Sequence, residues 1–332
     1  MLPREIIRRV REIQVQTGRQ VADVLAGQYV SVFKGRGIEF DEVRPYVPGD
    51  DVRTIDWNVT ARTGEPFVKR YVEERQLTLM MMADVSASQD FGSGDRSKRE
   101  ATAELCALLA FSATHNDDKV GLALFHGQIE QYIPPRKGQK HSLRVVREVL
   151  AHGNLDGQQP RNVATSQIQF LAKENRGARR WLPFGRRRAW WRTGRQSTNL
   201  SGAMEFLMSV TSRRTVCFVI SDFLDDGYLQ AMRSANRKHD VIAVLMTDPK
   251  EMEIPSAGIV NLTDLETGRI ESYDTSSAAF RERIAGAATS RVQQLKDEFG
   301  KSDIDFIHID VSKSVVDPLA RFFRMREKRM RR

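Results

Sequence analysis

Seven residues, Leu77-Thr-Leu-Met-Met-Met-Ala83, constrain this chain more than any others, because six of them are apolar and the run stops at Asp84. Successive strand residues face opposite sides of a sheet, so a run apolar at nearly every position needs cover on both faces. Its length suits a strand rather than a helix. The pattern recurs in Val216-Cys-Phe-Val-Ile-Ser221 and in Val241–Thr247, with helix-length segments between. Strands buried on both faces and alternating with helices build a parallel sheet wound on both sides. The expected fold class is therefore α/β, a doubly wound, mostly parallel sheet.

Around that frame the chain divides into three. Residues 1–74 read as an amphipathic helix over 4–25, with Ile6, Ile7, Val10 and Ile13 among its apolar positions, and then a small β-rich module of short extended pieces. Residues 75–312 read as the main domain. It has a helix over 96–115, strand Lys119–Phe125 with hairpin mate Ile129–Ile133, and helices at Lys140–His152 and Val163–Asn175. Further helices are expected at 199–212, 226–238 and 276–299, with strands Thr215–Asp222, Val241–Thr247 and Ile304–Asp310 and a hairpin over Val260–Tyr273 around Thr267-Gly268. Residues 313–332 read as a basic C-terminal helix. At 332 residues and 40% hydrophobic, the chain is long enough to bury one large core plus a smaller module.

The apolar run ends in Asp84-Val85-Ser86-Ala87-Ser88, one carboxylate followed by two hydroxyls at alternate positions. Hard cations such as Mg²⁺ take oxygen ligands and keep several waters. One fixed charge would leave such a cation electron-poor and open to an outside carboxylate. The plainer reading is a strand end followed by a helix-capping serine. Two other segments support the cation: Asp222 ends a second apolar strand, and Gln196-Ser-Thr198-Asn-Leu200 puts a hydroxyl at a helix start. Ligands gather beyond the carboxyl ends of parallel strands where strand order reverses, and both aspartates belong there.

These residues carry a resemblance. Asp84, Ser86, Ser88, Thr198 and Asp222 resemble the five-residue metal-ion-dependent adhesion site (MIDAS) of the von Willebrand factor A domain, a Rossmann-like fold. The resemblance implies that these five hold Mg²⁺, directly or through water, with Mn²⁺ or Ca²⁺ as alternatives, and that a partner supplies a carboxylate. Upstream, Gly35-Arg-Gly-Ile-Glu-Phe-Asp-Glu-Val-Arg-Pro-Tyr-Val-Pro-Gly-Asp-Asp-Val-Arg-Thr-Ile-Asp-Trp57 is similar to the bacterial family called "domain of unknown function 58", as are Thr60–Gly64 and Val68-Lys-Arg70. That likeness runs from about residue 30 to residue 250. Members resemble partners of MoxR-type AAA+ ATPases, so the resemblance implies docking to such an ATPase in chaperone-like assembly on an unknown client. Within the family-like segment, Arg44, Tyr46, Asp50, Asp51, Arg53, Asp56 and Trp57 form either a partner surface or, preferred here, an internal network of ion pairs and turns, Pro48-Gly49-Asp50 being one turn.

Charge is unevenly placed. The chain carries +9, yet residues 176–195 alone hold eight arginines, three tryptophans and no acid. These are Arg176, Arg179, Arg180, Trp181, Arg186, Arg187, Arg188, Trp190, Trp191, Arg192 and Arg195. The last thirteen residues are also strongly basic, leaving the body mildly acidic. Interleaved Arg and Trp suit an anionic membrane surface, where each cation contributes about 1 kcal/mol. They also suit a protein interface, less readily single-stranded nucleic acid, or a solvated loop. The C-terminal stretch is either a solvated helix end or a second lipid contact.

Several classes are disfavoured. No Gly-x-x-x-x-Gly-Lys-Ser/Thr loop is present, and Phe91-Gly-Ser-Gly-Asp95 is too short for a dinucleotide fingerprint. A Mg²⁺-dependent phosphohydrolase built on Asp84 would usually carry a second acid two residues on, where this chain has Ser86. The six histidines show no zinc spacing and are expected at the surface or in loops. Cys106 and Cys217 read as reduced core residues, and Asp225 and Asp226 as caps of the following helix. No run reaches membrane-span length, and Met1–Arg9 lacks the apolar core of a signal peptide. The expectation is a non-catalytic, cytoplasmic, Mg²⁺-dependent docking protein, with peripheral contact at the inner membrane open.

Overall fold

The computed structural model describes residues 38–73, 77–94, 96–152, 198–263 and 270–330. Strand β1 (Ile38–Pro45) leads through helix α1 (Trp57–Thr63) to β2 (Phe67–Glu73), which pairs with β1 antiparallel. The helix corrects the all-extended reading of this segment. The Asp56 carboxylate accepts the Asn58 and Val59 N–H groups at 2.9 and 3.2 Å, and Gly64, at φ +79°, supplies the left-handed C-cap. The charged residues before α1 serve the internal network. Arg44 grips Asp50 at 2.6 and 2.8 Å, Asp50 accepts the Val47 N–H at 2.9 Å, and Asp51 accepts the Arg53 N–H at 3.0 Å. The Trp57 ring is 69% exposed.

The main domain begins with β3 (Thr78–Asp84), α2 (Lys98–His115), β4 (Lys119–Phe125), β5 (Ile129–Arg136) and α3 (Gln139–Ala151). It continues with α4 (Leu200–Val210), β6 (Val216–Ser221), α5 (Leu229–Lys238), β7 (Asp240–Thr247) and the one-turn α6 (Pro249–Met252). Last come the hairpin strands β8 (Ile259–Thr263) and β9 (Ile270–Asp274), then α7 (Ala278–Gly300), β10 (Asp305–Asp310) and α8 (Val316–Met330). The expected helices over 4–25 and 163–175, the Arg/Trp segment 176–195 and the turn at Thr267-Gly268 lie outside the described residues.

Six strands form one sheet in the order β10-β7-β6-β3-β4-β5, parallel except for the β4–β5 edge. The chain first adds β4 on one side of β3, then returns to lay β6 on the other, so strand order reverses at β3. Alternate residues of β3 enter two cores. Leu79, Met81 and Ala83 pack with buried residues of α2, α3 and α8, whereas Met80 and Met82 pack with those of α4, α5 and α7. Cys106 and Cys217 fall in different cores, both buried and free. The mixed α/β class and the mostly parallel sheet agree with the sequence reading. The expectation that the histidines lie at the surface or in loops fails at His308, which sits partly buried inside β10 with its Nε2 2.8 Å from Thr247 Oγ1, and burial holds it below the usual histidine range. No helix among the described residues is long and apolar enough to cross a membrane.

Candidate functional site

β3 ends in Asp84, and Asp222 directly follows β6, the strand beside it, so the two carboxylates flank the point of reversal. Both are buried, at 2% and 3% exposure. Asp84 Oδ1 accepts the Ser86 N–H at 2.9 Å. Its Oδ2 accepts the Ser221 hydroxyl at 2.6 Å and the Thr198 hydroxyl at 3.4 Å. Ser86 Oγ and Ser88 Oγ lie 2.9 Å apart, both buried. Ser86 precedes a short 3-10 turn (Ala87–Asp90) without capping it, so the plainer reading of that serine fails. Thr198 stands just before α4, which Asn199 caps by accepting the Gly202 N–H at 2.8 Å. Asp225 Oδ2 accepts the Leu200 N–H at 2.9 Å. Asp225 therefore caps α4 across the site rather than α5, whose start has no side-chain cap.

Asp222 is held by unusual backbone. Phe223 has φ +53°, a conformation that L side chains rarely adopt. Its buried ring packs on Phe299 and Tyr228 at centroid distances of 5.2 and 5.7 Å, and its N–H donates to Ser221 Oγ at 3.1 Å. Arg291 donates to the Asp222 carbonyl. The Asp222 carboxylate pairs through Oδ2 with Lys98 Nζ at 3.3 Å, while its buried Oδ1 has no hydrogen-bond partner among the described residues. Lys98, the first residue of α2, is fully buried and also meets Glu251 Oε1 at 2.5 Å.

Electrostatics follow from this burial. Desolvation, reinforced by the facing Asp222 charge, pushes the Asp84 carboxyl up to about 7 against the pull of the Ser221 and Ser86 bonds. Burial also raises Glu251, only partly offset by Lys98. Burial pulls the Lys98 ammonium down, but Asp222 and Glu251 outweigh it and hold it above its usual range. Asp84, Ser86, Ser88, Thr198 and Asp222 are thus gathered into one buried cluster of oxygens. Two facing carboxylates, an unpartnered Asp222 oxygen and an all-oxygen donor set fit a hard cation such as Mg²⁺. Among the described residues no group of three or more His, Cys, Asp or Glu side chains is placed to hold a metal, so such a site depends on the hydroxyls.

Lys98, Ser221 and Glu251 escape the sequence reading. Ser221 leaves a trace, a hydroxyl inside an apolar strand run beside Asp222. Lys98 leaves none: a lysine after the helix cap Ser97 reads as a solvated first turn.

The BatB protein of Bacteroides thetaiotaomicron is similar in structure at a TM-score of 0.40 and 15% identity, covering 76% of this chain and 99% of that one. An aerotolerance-related membrane protein from Bacteroides fragilis matches likewise, with a TM-score of 0.40, 15% identity and coverage of 76% and 100%. An uncharacterized protein of Mycobacterium tuberculosis is 28% identical over 282 residues, covering 85% of this chain and 77% of the relative. An uncharacterized protein of Mycobacterium avium is 25% identical over 131 residues, 39% of this chain and 77% of that protein. The family described as "Protein of unknown function DUF58" matches residues 42–294, most of the chain, and it is to this family that the chain belongs.

Proposed function

We propose that this chain is a non-catalytic docking module of the von Willebrand factor A type. In this reading Asp84, Ser86, Ser88, Thr198 and Asp222 hold Mg²⁺, with Mn²⁺ or Ca²⁺ as alternatives. The observation that carries the reading is the buried carboxylate pair at the reversal of strand order, with Asp222 Oδ1 unpartnered among the described residues and hydroxyls on the Asp84 side. A bound Mg²⁺ would supply a Lewis-acidic position for a partner's carboxylate. The chain's own residues orient the donors: Ser221 holds Asp84 Oδ2, the left-handed Phe223 turn aims Asp222, and the α4 start sets Thr198. The family resemblance names a MoxR-type AAA+ ATPase as the partner, in chaperone-like assembly on a client.

A carboxyl titrating near 7 would also suit proton transfer, the property a hydrolase would want. Burial, reinforced by the Asp222 charge, raises the Asp84 carboxyl without any catalytic task, and a cation beside it would reverse the shift. The test is affinity capture from lysate with wild-type and Asp222→Ala baits, each with Mg²⁺ and with chelator. An AAA+ ATPase retained by wild type only in Mg²⁺ supports the reading. Equal capture in all four lanes overturns it.

One observation favours a second activity, contact with an anionic membrane surface. Helix α8 turns Arg321, Arg324 and Lys328 to solvent around the 40%-exposed Met325.

A further inference from the structure

Lys98 lies outside the five-residue set, yet it is the fully buried cation at the site. Its ammonium sits between Asp222 Oδ2 at 3.3 Å and Glu251 Oε1 at 2.5 Å. Burying an ammonium and a carboxylate together strips the hydration from both ions, which their attraction offsets only in good geometry. The pair is therefore weak evidence for a stabilising role and stronger evidence for an electrostatic one. We infer that Lys98 is a built-in counter-ion that neutralises Asp222, lowers the site's own affinity for a divalent cation, and keeps a bound cation positive enough to need a partner's carboxylate. This inference rests on the docking reading and names what sets that site's demand for its partner.

The surroundings fix Lys98 in this position. Glu251 Oε2 accepts the Asp248 N–H at 3.0 Å in a capping box, and Asp248 accepts Ser93 N–H at 2.8 Å and Ser93 Oγ at 2.5 Å. Ser93 is thereby tied to the start of α6. A Cβ on Gly92 would stand 2.6 Å from Ser97 Cα, so Gly92 lies directly against the residue before Lys98. The Ser97 hydroxyl accepts the Glu100 N–H at 3.2 Å and anchors the first turn of α2. These contacts hold the start of α2 and the Glu251 carboxylate in place on either side of the ammonium. Glu251 shares the lysine, which leaves Asp222 part of its charge and Oδ1 its freedom.

The charges make opposed predictions for two neutral substitutions. Removing the Lys98 charge frees Asp222 for a cation. Removing the Glu251 charge leaves Lys98 to Asp222 alone. A unit charge within about 6 Å of a partly buried cation is worth at least about tenfold in affinity. Mn²⁺ is the probe, followed by calorimetry and electron paramagnetic resonance on the full chain. Glu251→Gln should bind Mn²⁺ several-fold more weakly than wild type, and Lys98→Met/Glu251→Gln, which differs from it only by the lysine charge, should bind about tenfold tighter than Glu251→Gln. Acetate should strengthen Mn²⁺ binding to wild type and strengthen it less in the double variant, since coupling between two ligands is reciprocal. The double variant removes one charge of each sign, so it stays balanced and folds; thermal unfolding in chelator checks this. A merely structural lysine would give weaker Mn²⁺ binding in every variant. Affinity in the double variant equal to or below that of Glu251→Gln overturns the inference. Wild type that binds no Mn²⁺ overturns the docking reading itself.

Discussion

Asp84 ties the chemistry of the site to the stability of the protein. Its carboxyl is pushed up to about 7, by burial first and by Asp222 second, from an unfolded value near 3.9. Between these values the folded protein binds the proton more tightly than the unfolded chain, so Asp84 contributes stability below about pH 4 and loses it as pH rises towards 7. In chelator, denaturant unfolding of wild type should therefore weaken from pH 5 to pH 8. Asp84→Asn should flatten that slope and be the more stable protein at pH 8. Added Mg²⁺ should restore stability to wild type at pH 8 and do nothing for the variant. A wild-type slope that survives in Asp84→Asn would assign the titration elsewhere. Phe223 is the second residue whose cost is visible. Phe223→Ala removes a ring packed between Phe299 and Tyr228 and should cost about 3–5 kcal/mol, read from unfolding midpoints. Asp84, Ser86, Ser88 and Asp222 were legible in the sequence because each sits at or just after the end of an apolar strand, where a carboxylate or hydroxyl is conspicuous. Lys98 and Glu251 were not, because a charged residue in the first turns of a helix looks solvated until tertiary contacts bury it.

Among the elements, the strands were the most legible. β3, β6 and β7 are apolar on both faces, and only a sheet covered on both sides accommodates that pattern. α1 is hidden in the sequence because the glycines and prolines around it suggest extended chain, while the Asp56 cap and Gly64 stop take the place of a longer periodic pattern. The start of α4 shows how an element serves the site. Asn199 caps it from within, and Asp225, from the loop after β6, caps it from across the site. That second cap joins the segment carrying Thr198 to the segment carrying Asp222, which adjacency in sequence could not reveal. Asp225→Ala should cost about 1 kcal/mol, the usual loss for a cap, and weaken Mn²⁺ binding more than the stability change explains, because Thr198 loses its fixed position. Titration calorimetry beside thermal unfolding separates the two effects.

At the scale of the molecule, one arrangement links the cores to the outer surface. α8 buries Leu319, Ala320, Phe322 and Phe323 in the core that also receives Leu79 and Met81 of β3, so the basic terminus is built into the domain. Two of its cations are ion-paired: Arg326, turned inward, with Asp240 at 2.5 Å, and the exposed Arg329 with Asp305 at 2.7 Å. Arg321, Arg324 and Lys328 are exposed around Met325, and a rigid helix presents them on one face. Near an anionic bilayer each is worth about 1 kcal/mol, so three are worth about 3 kcal/mol, roughly a hundredfold in partitioning. The apolar contribution of Met325 is small, so the attraction should be screened by salt. Vesicles of phosphatidylserine and phosphatidylcholine should sediment wild type at low ionic strength and release it as salt is raised. The triple variant Arg321→Glu, Arg324→Glu, Lys328→Glu should stay in the supernatant while unfolding at the wild-type temperature, because none of the three side chains enters the core. Wild type that ignores such vesicles would leave α8 a structural helix whose cations serve only solubility. Binding unchanged by the triple substitution would move the lipid contact to another part of the chain.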